Sequence, residues 1–355
     1  MCIRDRPIGW ESPVPRILHL GIGNFHRAHQ AAYTEAANAT GPDIWEIIGV
    51  SLRSPTVRDL LKSQDCAYTL AISDDEGTHY DRITSIRDVL FAPEDRTEVV
   101  AQISDPETRI VTLTVTEKGY HLDPTTGRLN LAAPPLRADL DGSAQTIYGL
   151  LGRGLRQRRD AKAGPISVLS CDNLNGNGNK LRVALRDFIV AVDPDLTAFF
   201  DDQVAFPNCM VDRITPATTD ALIAEVADRT STLDCSPVAT EAYSEWVIED
   251  DFPSGRPPWE SAGAVFTSDV APFELRKLRL LNGAHSGLAY AGLLAGHRFV
   301  HEAIADPDLC ALANGIMSEA AETLPTDIRD TGEDYAKALI ERFGNPHLNH
   351  ELRQI

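Results

Sequence analysis

The chain has 355 residues, which is enough for two domains of roughly 100–200 residues each and for a sizeable buried core. Hydrophobic residues make up 43% and charged residues 24% of the chain, a balance typical of soluble globular proteins rather than of disordered or fibrous ones. The 33 basic and 52 acidic side chains give a net charge of −19, which disfavours nucleic acid and anionic membrane surfaces as partners and favours a small molecule.

The six cysteines are scattered, with no C-x-x-C pair and no Cys/His spacing typical of a zinc site. They indicate reduced thiols in a cytoplasmic protein that binds no metal. No apolar run approaches the ~18 residues that a membrane-spanning helix needs, and no signal peptide is predicted. Residues 1–6 (MCIRDR) differ in character from the rest, and we expect them to contribute nothing to the fold.

Strands and helices alternate through the first part of the chain. A short apolar run at residues 16–20 leads into a glycine turn and then into a helix-like stretch. Further strands are predicted at residues 45–50, 110–115 and 166–169, and helices at residues 144–159 and 180–192. Near-continuous apolar strands that alternate with helices predict a parallel sheet that is buried on both faces.

The pattern changes towards the end of the chain. Residues 200–262 are mixed, with strands predicted at residues 209–214 and 245–248. From Pro272 onward the periodicity is helical, and helices are predicted at residues 273–295, 300–304, 309–322 and 334–343. The predicted fold is therefore α/β, with a doubly wound parallel sheet domain over residues 1–269 and a mostly α-helical domain over residues 270–355.

The segment Gly21-Ile22-Gly23-Asn24-Phe25-His26 lies directly between a predicted strand and a predicted helix. Glycines in such a turn let the backbone approach a pyrophosphate, and the helix N-terminus presents free N–H groups. His26 stands where the G-x-G-x-x-G pattern has its third glycine. The segment by itself therefore leaves two interpretations open, a Rossmann-type dinucleotide site and a plain strand–helix turn.

The second predicted strand ends without the acidic residue that binds the ribose of NAD in many such sites. Arg53 in this region is either a contact for the 2′-phosphate of NADP or a surface arginine without such a role. A second glycine cluster at residues 175–179 (NGNGN) lacks the G-K-[ST] ending of a phosphate-binding loop, and we interpret it as a polar turn that starts a helix.

The helix predicted from residue 273 carries several polar side chains on one side. With Lys277 at zero and about 100° per residue, Glu274 falls near 60°, His285 near 80° and Asn282 near 140°. One interpretation is a solvated face on which Glu274 and Lys277 form an ordinary ion pair. The other is a cleft in which burial lowers the pKa of Lys277, so that its amine takes a proton from an alcohol while Asn282 donates to the developing alkoxide.

Two further segments supply candidate residues. Asn173 follows a predicted strand at the sheet edge where open α/β sheets bind ligands, so it is a candidate second donor, although a loop asparagine also commonly forms an Asx turn. Asp212 is adjacent to Arg213, and an Asp beside an Arg is usually structural.

Together these segments resemble the mannitol dehydrogenase family of zinc-independent, polyol-specific long-chain dehydrogenases. The similar motifs follow one another over nearly the whole chain. They are residues 21–30 (GIGNFHRAHQ), 113–120 (LTVTEKGY), 170–174 (SCDNL), 206–208 (FPN), 210–216 (MVDRITP), 246–250 (WVIED), 277–285 (KLRLLNGAH) and 341–346 (ERFGNP).

The resemblance implies a Rossmann-type domain and hydride transfer, without a metal, between a nicotinamide cofactor and a secondary alcohol carbon of an open-chain polyol or aldonate. It implies that Lys277 is the general base and that Asn173 and Asn282 donate to the alkoxide. It also implies that His285 binds substrate and that Glu274 relays the proton outward.

The same resemblance implies cofactor contacts from Gly21, Ile22, Gly23, Asn24, Phe25, His26, Arg53 and Thr116. It implies substrate contacts from Asp212 and Arg213 in addition to Asn173 and His285. NAD is the expected cofactor, with NADP left open, and the expected assembly is a monomer or a weak oligomer.

Members of the family include mannitol 2-dehydrogenases, which interconvert mannitol and fructose, and fructuronate reductases, which interconvert mannonate and fructuronate. Residues 116–120 and 341–355 are slightly more similar to the fructuronate reductases. The carboxylate of an aldonate would need a basic side chain as a contact. Arg27, Lys118 and Arg213 are candidates, and the sequence does not single out one of them. The helical domain of the family continues beyond these motifs, so we expect a C-terminally truncated domain with an incomplete substrate pocket.

Two alternatives bear on function. A short-chain dehydrogenase would need a Tyr-x-x-x-Lys pair, and no tyrosine of the chain has a lysine four residues later. A dinucleotide-binding protein or fragment without turnover is the alternative from a different class. A Lys277→Ala variant that loses hydride transfer but keeps cofactor binding would distinguish the enzyme from the binding module.

Overall fold

The computed structural model describes residues 14–74, 76–348 and 350–355. Residues 1–6, which we expected to contribute nothing to the fold, lie outside the described residues. The strands are β1 (Arg16–Leu20), β2 (Glu46–Ser51), β3 (Tyr68–Ser73), β4 (Thr78–Ile83), β5 (Ile86–Phe91), β6 (Thr108–Leu113), β7 (Ile166–Ser170), β8 (Val204–Ala205), β9 (Cys209–Asp212), β10 (Val238–Glu241), β11 (Glu245–Glu249) and β12 (Val265–Thr267).

The helices follow the same chain order. They are α1 (Asn24–Ala28), α2 (Gln30–Thr40), α3 (Thr56–Lys62), α4 (Ala92–Ser104), α5 (Pro134–Leu140), α6 (Ile147–Ala161), α7 (Asn177–Val192), α8 (Thr197–Gln203), α9 (Asp220–Thr230), α10 (Ala271–Arg276), α11 (Gly283–Ala295), α12 (Val300–Ala305), α13 (Pro307–Glu322) and α14 (Thr326–Phe343). Within the described residues, no helix is long and apolar enough to cross a membrane.

A six-stranded sheet in the order β5-β2-β1-β6-β7-β8 forms the centre of the first domain, and its strands pair in parallel. This is the strand order of a doubly wound dinucleotide-binding sheet. The apolar runs predicted as strands are buried, with Leu18, Val50, Val111 and Val168 at the centre of the core. The predicted Rossmann-like α/β fold is confirmed.

Two smaller sheets accompany the main one. The first has the order β10-β3-β4 and the second the order β12-β11-β9. The apolar pattern predicted β9 and β11 of these sheets but not β3, β4, β10 or β12. β3 and β4 form an antiparallel pair that lies between β2 and β5 in sequence. The exposed side chains on β4 interrupt its apolar pattern, which explains why periodicity alone did not reveal it.

The stretch after the glycine turn was predicted as one helix but is divided. His29 has φ −116° and ψ −88°, which ends α1 and separates it from α2. The change of direction keeps His29 buried against Tyr33 and Trp246. The helix predicted at residues 273–295 is continuous, but its middle, Lys277–Asn282, is π-helical rather than α-helical.

The helical domain has its own core, which α11, α13 and α14 build from side chains such as Leu288, Met317 and Leu339. On the outer side of α11, Tyr290 is 75% and Leu294 is 91% exposed. The five cysteines within the described residues are free, and Cys66, Cys171 and Cys209 are buried.

Candidate active site

The glycine turn connects β1 to α1 at the carboxyl end of the parallel sheet. Gly21 has φ +102°, and a Cβ at this position would collide with the carbonyl oxygen of Thr114. Two hydrogen bonds attach the turn to the end of β2: the N–H groups of Gly21 and Ile22 both donate to the carbonyl of Val50, at 2.9 and 3.0 Å. The fold itself therefore requires glycine at position 21.

Gly23 is different, because nothing in the protein crowds it. Its φ of −136° is open to any residue, and the nearest atom that a Cβ would meet is the Gly21 carbonyl oxygen at 3.8 Å. The missing side chain leaves room beside the turn where a ligand can approach the backbone. The second glycine thus fits a pyrophosphate-binding turn, although packing within the protein does not demand it.

His26, predicted as part of the cofactor turn, points its ring into the protein. The ring is fully buried and stacks on His19 with 3.4 Å between ring centroids. The usual third glycine allows a helix to pack closely on the sheet. Here a flat imidazole pair fills that contact, so the His26 side chain does not face the open side of the turn.

The other predicted cofactor residues lie around the same sheet edge. The Asn24 amide donates to Thr218 Oγ1 at 3.0 Å, and Phe25 stacks on His29. Arg53 and Thr116 are exposed on the loops that follow β2 and β6.

Asp172, which sequence analysis did not select, organises the loop that contains Thr116. Its carboxylate accepts the N–H groups of Val115 and Thr116, each at 2.9 Å, and the Tyr120 hydroxyl at 2.7 Å. Burial, the largest effect, raises the pKa of Asp172 despite these donors. The carboxylate fixes Thr116 in a conformation with φ +67°, which is costly for a residue that has a Cβ.

Lys277 lies at the start of the π-helical segment and is 9% exposed. Its Nζ donates to Asn173 Oδ1 at 2.9 Å and to the carbonyl oxygen of Val211 at 2.6 Å. Burial is the largest effect on this amine and lowers its pKa below the ordinary value, against the opposing charge of Asp212. The residues predicted to act together, Lys277 and Asn173, are in direct contact.

Asn282 lines the same cleft as Lys277, Asn173 and Glu274. An α-helical period would turn Asn282 about 140° away from Lys277. In a π-helical segment the hydrogen bonds span five residues, so positions 277 and 282 are about one turn apart and share a face. The π-helical segment therefore places Asn282 in the same cleft as Lys277, and its role as a donor stays a prediction.

Glu274 also lines the cleft but does not form the ion pair with Lys277 that was one interpretation of the sequence. Its carboxylate accepts the Gly176 N–H at 2.9 and 3.2 Å. Gly176 is the residue before α7, so the glycine cluster at residues 175–179 is the predicted polar turn and helix start. Burial, as the main cause, raises the pKa of Glu274.

His285 of α11 lies about one helical turn beyond Asn282 and is 8% exposed. Its ring stacks on Phe343 at 4.5 Å and meets His350 edge-on at 5.4 Å between ring centroids. Burial lowers the pKa of His285 to about 3, so the imidazole is neutral at physiological pH. Its Nε2 is buried and has no hydrogen-bond partner among the described residues.

Asp212 and Arg213, predicted to contact substrate, have protein partners. Asp212 is 3% exposed and accepts hydrogen bonds from Arg342 and Tyr335 of α14. Arg213 donates to the carbonyl oxygens of Glu241 and Ala28. Asp212 therefore connects β9 to α14, and Arg213 connects the residue after β9 to β10 and α1. Direct contact of either side chain with substrate stays a prediction.

The geometry agrees with the comparison to known families. A model described as the mannitol dehydrogenase Rossmann domain matches residues 15–261, and one described as the mannitol dehydrogenase C-terminal domain matches residues 269–355. The chain belongs to the mannitol dehydrogenase family. The second match shows that the C-terminal domain is present, and it does not support our expectation that this domain is truncated.

Individual relatives in the mannitol dehydrogenase family are similar over most of this chain. It is 41% identical to a mannitol 2-dehydrogenase of Phaeosphaeria nodorum over 348 residues, which cover 96% of the chain and 61% of that protein. It is also 41% identical to the D-mannonate oxidoreductase of Escherichia coli over 349 residues, or 96% of the chain and 71% of the relative.

Two solved structures have the same fold. The ternary complex of Pseudomonas fluorescens mannitol 2-dehydrogenase with NAD and D-mannitol has a TM-score of 0.91 at 39% identity, and the match covers 96% of this chain and 71% of the other. A substrate-free D-sorbitol dehydrogenase has a TM-score of 0.88 at 36% identity, with 96% and 72% covered. The chain thus spans between three fifths and three quarters of the length of these family members.

Proposed function

We propose that the protein is an NAD-dependent oxidoreductase that transfers a hydride between the cofactor and a secondary alcohol carbon of an open-chain polyol or aldonate. The observation that carries this proposal is the position of Lys277, whose buried amine contacts Asn173 in a cleft that Asn282 also lines. Relatives named for mannitol and for mannonate support the substrate class, and the solved complex with NAD and D-mannitol supports the cofactor.

The glycine turn has the features that a dinucleotide needs. Gly23 leaves room next to the backbone, and the turn lies at the carboxyl end of β1, next to β6 at the centre of the sheet. Gly21, Gly23 and Asn24 would hold the pyrophosphate, and Arg53 and Thr116 flank the same edge. A bound nicotinamide supplies the hydride acceptor for alcohol oxidation and the hydride donor for ketone reduction.

Lys277 is suited to the proton transfer that accompanies hydride transfer. A neutral lysine amine has two N–H bonds and one lone pair, and the two observed hydrogen bonds use both N–H groups. The lone pair is then free for the alcohol proton, provided that the amine is neutral. Burial favours the neutral form because it lowers the pKa of Lys277.

Asn173 and Asn282 are suited to stabilise the alkoxide. Because Asn173 Oδ1 accepts from the lysine, its amide nitrogen is available as a donor. Asn282, one π-helical turn from the lysine, provides a second amide at the same cleft. Two fixed donors at the oxygen that becomes negative lower the barrier without reorganisation of solvent.

The decisive experiment is a panel of mannitol, mannonate, arabinitol and altronate, each with NAD and NADP, measured for the native chain and for Lys277→Ala. We expect turnover of at least one substrate with NAD and loss of that turnover in the variant by roughly 10²–10⁴-fold. The binding of NADH, measured by fluorescence titration, should be unchanged. Absence of turnover with every pair would contradict the proposed function and favour a binding protein.

A further inference from the structure

Arg342 of α14 is a buried arginine that pairs with two carboxylates at once. Its Nη1 and Nη2 donate to the two oxygens of Asp212, both at 2.9 Å. Its Nε and Nη2 donate to the two oxygens of Glu241, at 2.8 and 2.7 Å. The side chain is 6% exposed and each carboxylate 3%. Two buried, bidentate salt bridges on one guanidinium fix the relative positions of Arg342, Asp212 and Glu241.

The ion cluster connects three elements from both domains. Asp212 ends β9 and Glu241 ends β10, whereas Arg342 lies in the last turn of α14. Tyr335 of the same helix adds a hydrogen bond to Asp212 at 2.8 Å. A buried ion cluster is weak evidence for stability, because desolvation offsets much of the attraction. Its geometric effect is to hold the end of β9 against the helical domain.

The end of β9 is also where Lys277 is held. The carbonyl of Val211, which accepts from Lys277 Nζ at 2.6 Å, belongs to the peptide unit that leads directly into Asp212. Movement of Asp212 therefore moves the lysine's partner. We propose that Arg342 is a positioning residue of the candidate active site: through Asp212 it fixes the peptide carbonyl that binds the Lys277 amine. This inference rests on the proposed role of Lys277.

The cluster also affects the charge of the lysine. Burial is the largest effect on the pKa of Lys277, and of the surrounding charges Asp212 raises it, Arg342 lowers it and Glu245 raises it. Other titratable groups near the amine include Cys209 of β9, His29 between α1 and α2, and His285 of α11. Glu274 and Asp172 line the same cleft. Burial lowers the pKa of each of these histidines to about 3, so both are neutral.

Arg342 and Asp212 therefore influence Lys277 in opposite directions. Loss of the arginine removes a nearby positive charge and should raise the pH at which the amine becomes neutral. Loss of the aspartate charge should lower that pH. A general loosening of the fold would shift both variants in the same direction, so the opposite signs separate a positioning role from a merely structural one.

The test compares Arg342→Gln and Asp212→Asn with Arg298→Gln as the matched control. Arg298 also pairs with a carboxylate, that of Glu351, but its side chain is 71% exposed and is not among those that line the cleft. For Arg342→Gln we expect the pH midpoint of kcat/KM for alcohol oxidation to rise by about one pH unit, and for Asp212→Asn to fall by about as much. We expect kcat to fall at least tenfold in both, with KM for the cofactor unchanged. The control should match the native chain.

A second readout does not depend on turnover. The rate at which acetic anhydride labels Lys277, followed by mass spectrometry across pH, reports the neutral fraction of the amine directly. Opposite shifts of the labelling midpoint in the two variants support the inference even if no substrate is turned over, which would contradict only the proposed function. Unchanged midpoints, or shifts in one direction, in folded variants overturn the inference.

Arg342→Lys covers the case in which the glutamine variant does not fold. Lysine keeps the positive charge but cannot form bidentate salt bridges with both carboxylates. We expect this variant to lose kcat at least tenfold while its pH midpoint stays within about half a pH unit of the native value. Native kcat in a folded Arg342→Lys protein would show that the geometry of the cluster does not position Lys277.

Discussion

The glycine turn and the lysine cleft are both parts of the candidate active site, but they are built in different ways. The turn occupies six consecutive residues, and its shape depends on the backbone of Gly21 and its contacts with Val50 and Thr114. The cleft brings together side chains that are 104 residues apart, Lys277 and Asn173, and adds a carbonyl from β9. One region is specified locally, and the other depends on several elements packing together.

This difference between the turn and the cleft predicts which kinetic constant a substitution in each region should change. Removing a side chain from the cleft deletes a chemical group and should change kcat, whereas adding a side chain to the turn obstructs a ligand and should change cofactor affinity. The two regions meet at Asp172 and Asn173, consecutive residues after β7. Asp172 fixes the loop that contains Thr116, a predicted cofactor contact, and Asn173 contacts the lysine.

The largest effect is expected in the cleft. Asn282→Ala removes one proposed alkoxide donor and should lower kcat by roughly 10²–10³-fold with little change in the cofactor KM. Steady-state kinetics with saturating cofactor measures this change. Asn314→Ala on α13 is the matched control, because that amide donates to the Cys310 carbonyl on an exposed surface. Equal activity of the two variants would remove Asn282 from the mechanism.

The pH dependence should report the lysine itself. Only the neutral amine accepts a proton, and burial lowers the pKa of Lys277 below its ordinary value of 10.5. The rate of alcohol oxidation should therefore fall about tenfold per pH unit as the pH drops below that lowered pKa, and ketone reduction should show the opposite trend. Thermal unfolding measured over the same range controls for loss of fold. A midpoint at or above 10.5 would contradict the assigned base.

The two kinds of region also differ in how well the sequence predicts them. Alternating apolar runs predicted the parallel sheet and four of its strands, β1, β2, β6 and β7, but not its strand order or the strands β5 and β8. The turn was predicted from two glycines in a local pattern. The π-helical segment does not follow, because the α-helical period turns Asn282 away from Lys277. The pairing of Asp212 with Arg342 joins residues 130 apart, so no local pattern reveals it. The adjacent arginine suggested a structural role for Asp212, and the contact with substrate was expected only from the resemblance to the family.

Asp172 and Arg342 were present in motifs that indicated the family, yet neither was selected as a site residue. In SCDNL the signal was a single charged residue among apolar and polar neutral ones, whereas in ERFGNP Arg342 stands next to a second charged residue, Glu341. Such a residue is buried at a cost unless it is paired. Burial and partner are both tertiary properties, which explains why the motifs revealed the family but not these roles.

A pair of glycine variants separates folding from binding within the turn. Gly23→Ala meets no protein atom closer than 3.8 Å, so we expect native thermal stability and a weakening of cofactor binding by about tenfold. Gly21→Ala has to adopt φ +102° and would collide with Thr114, so it should lose stability before binding can be measured. Thermal melting and NADH titration distinguish the two. Native affinity in Gly23→Ala would show that the cofactor does not approach this glycine.

The smallest effect is expected where the two regions meet. Tyr120→Phe removes a hydroxyl that donates to Asp172 at 2.7 Å, and Tyr148→Phe removes one that donates to the Tyr120 carbonyl at 2.7 Å. Both tyrosines are fully buried, so each loss should cost about 1 kcal/mol in the free energy of unfolding. Only Tyr120→Phe loosens the carboxylate that fixes Thr116, so only this variant should raise the cofactor KM, by a few-fold. An equal change of the cofactor KM in the two variants would mean that the hydrogen bond between Tyr120 and Asp172 does not influence cofactor binding through the Thr116 loop.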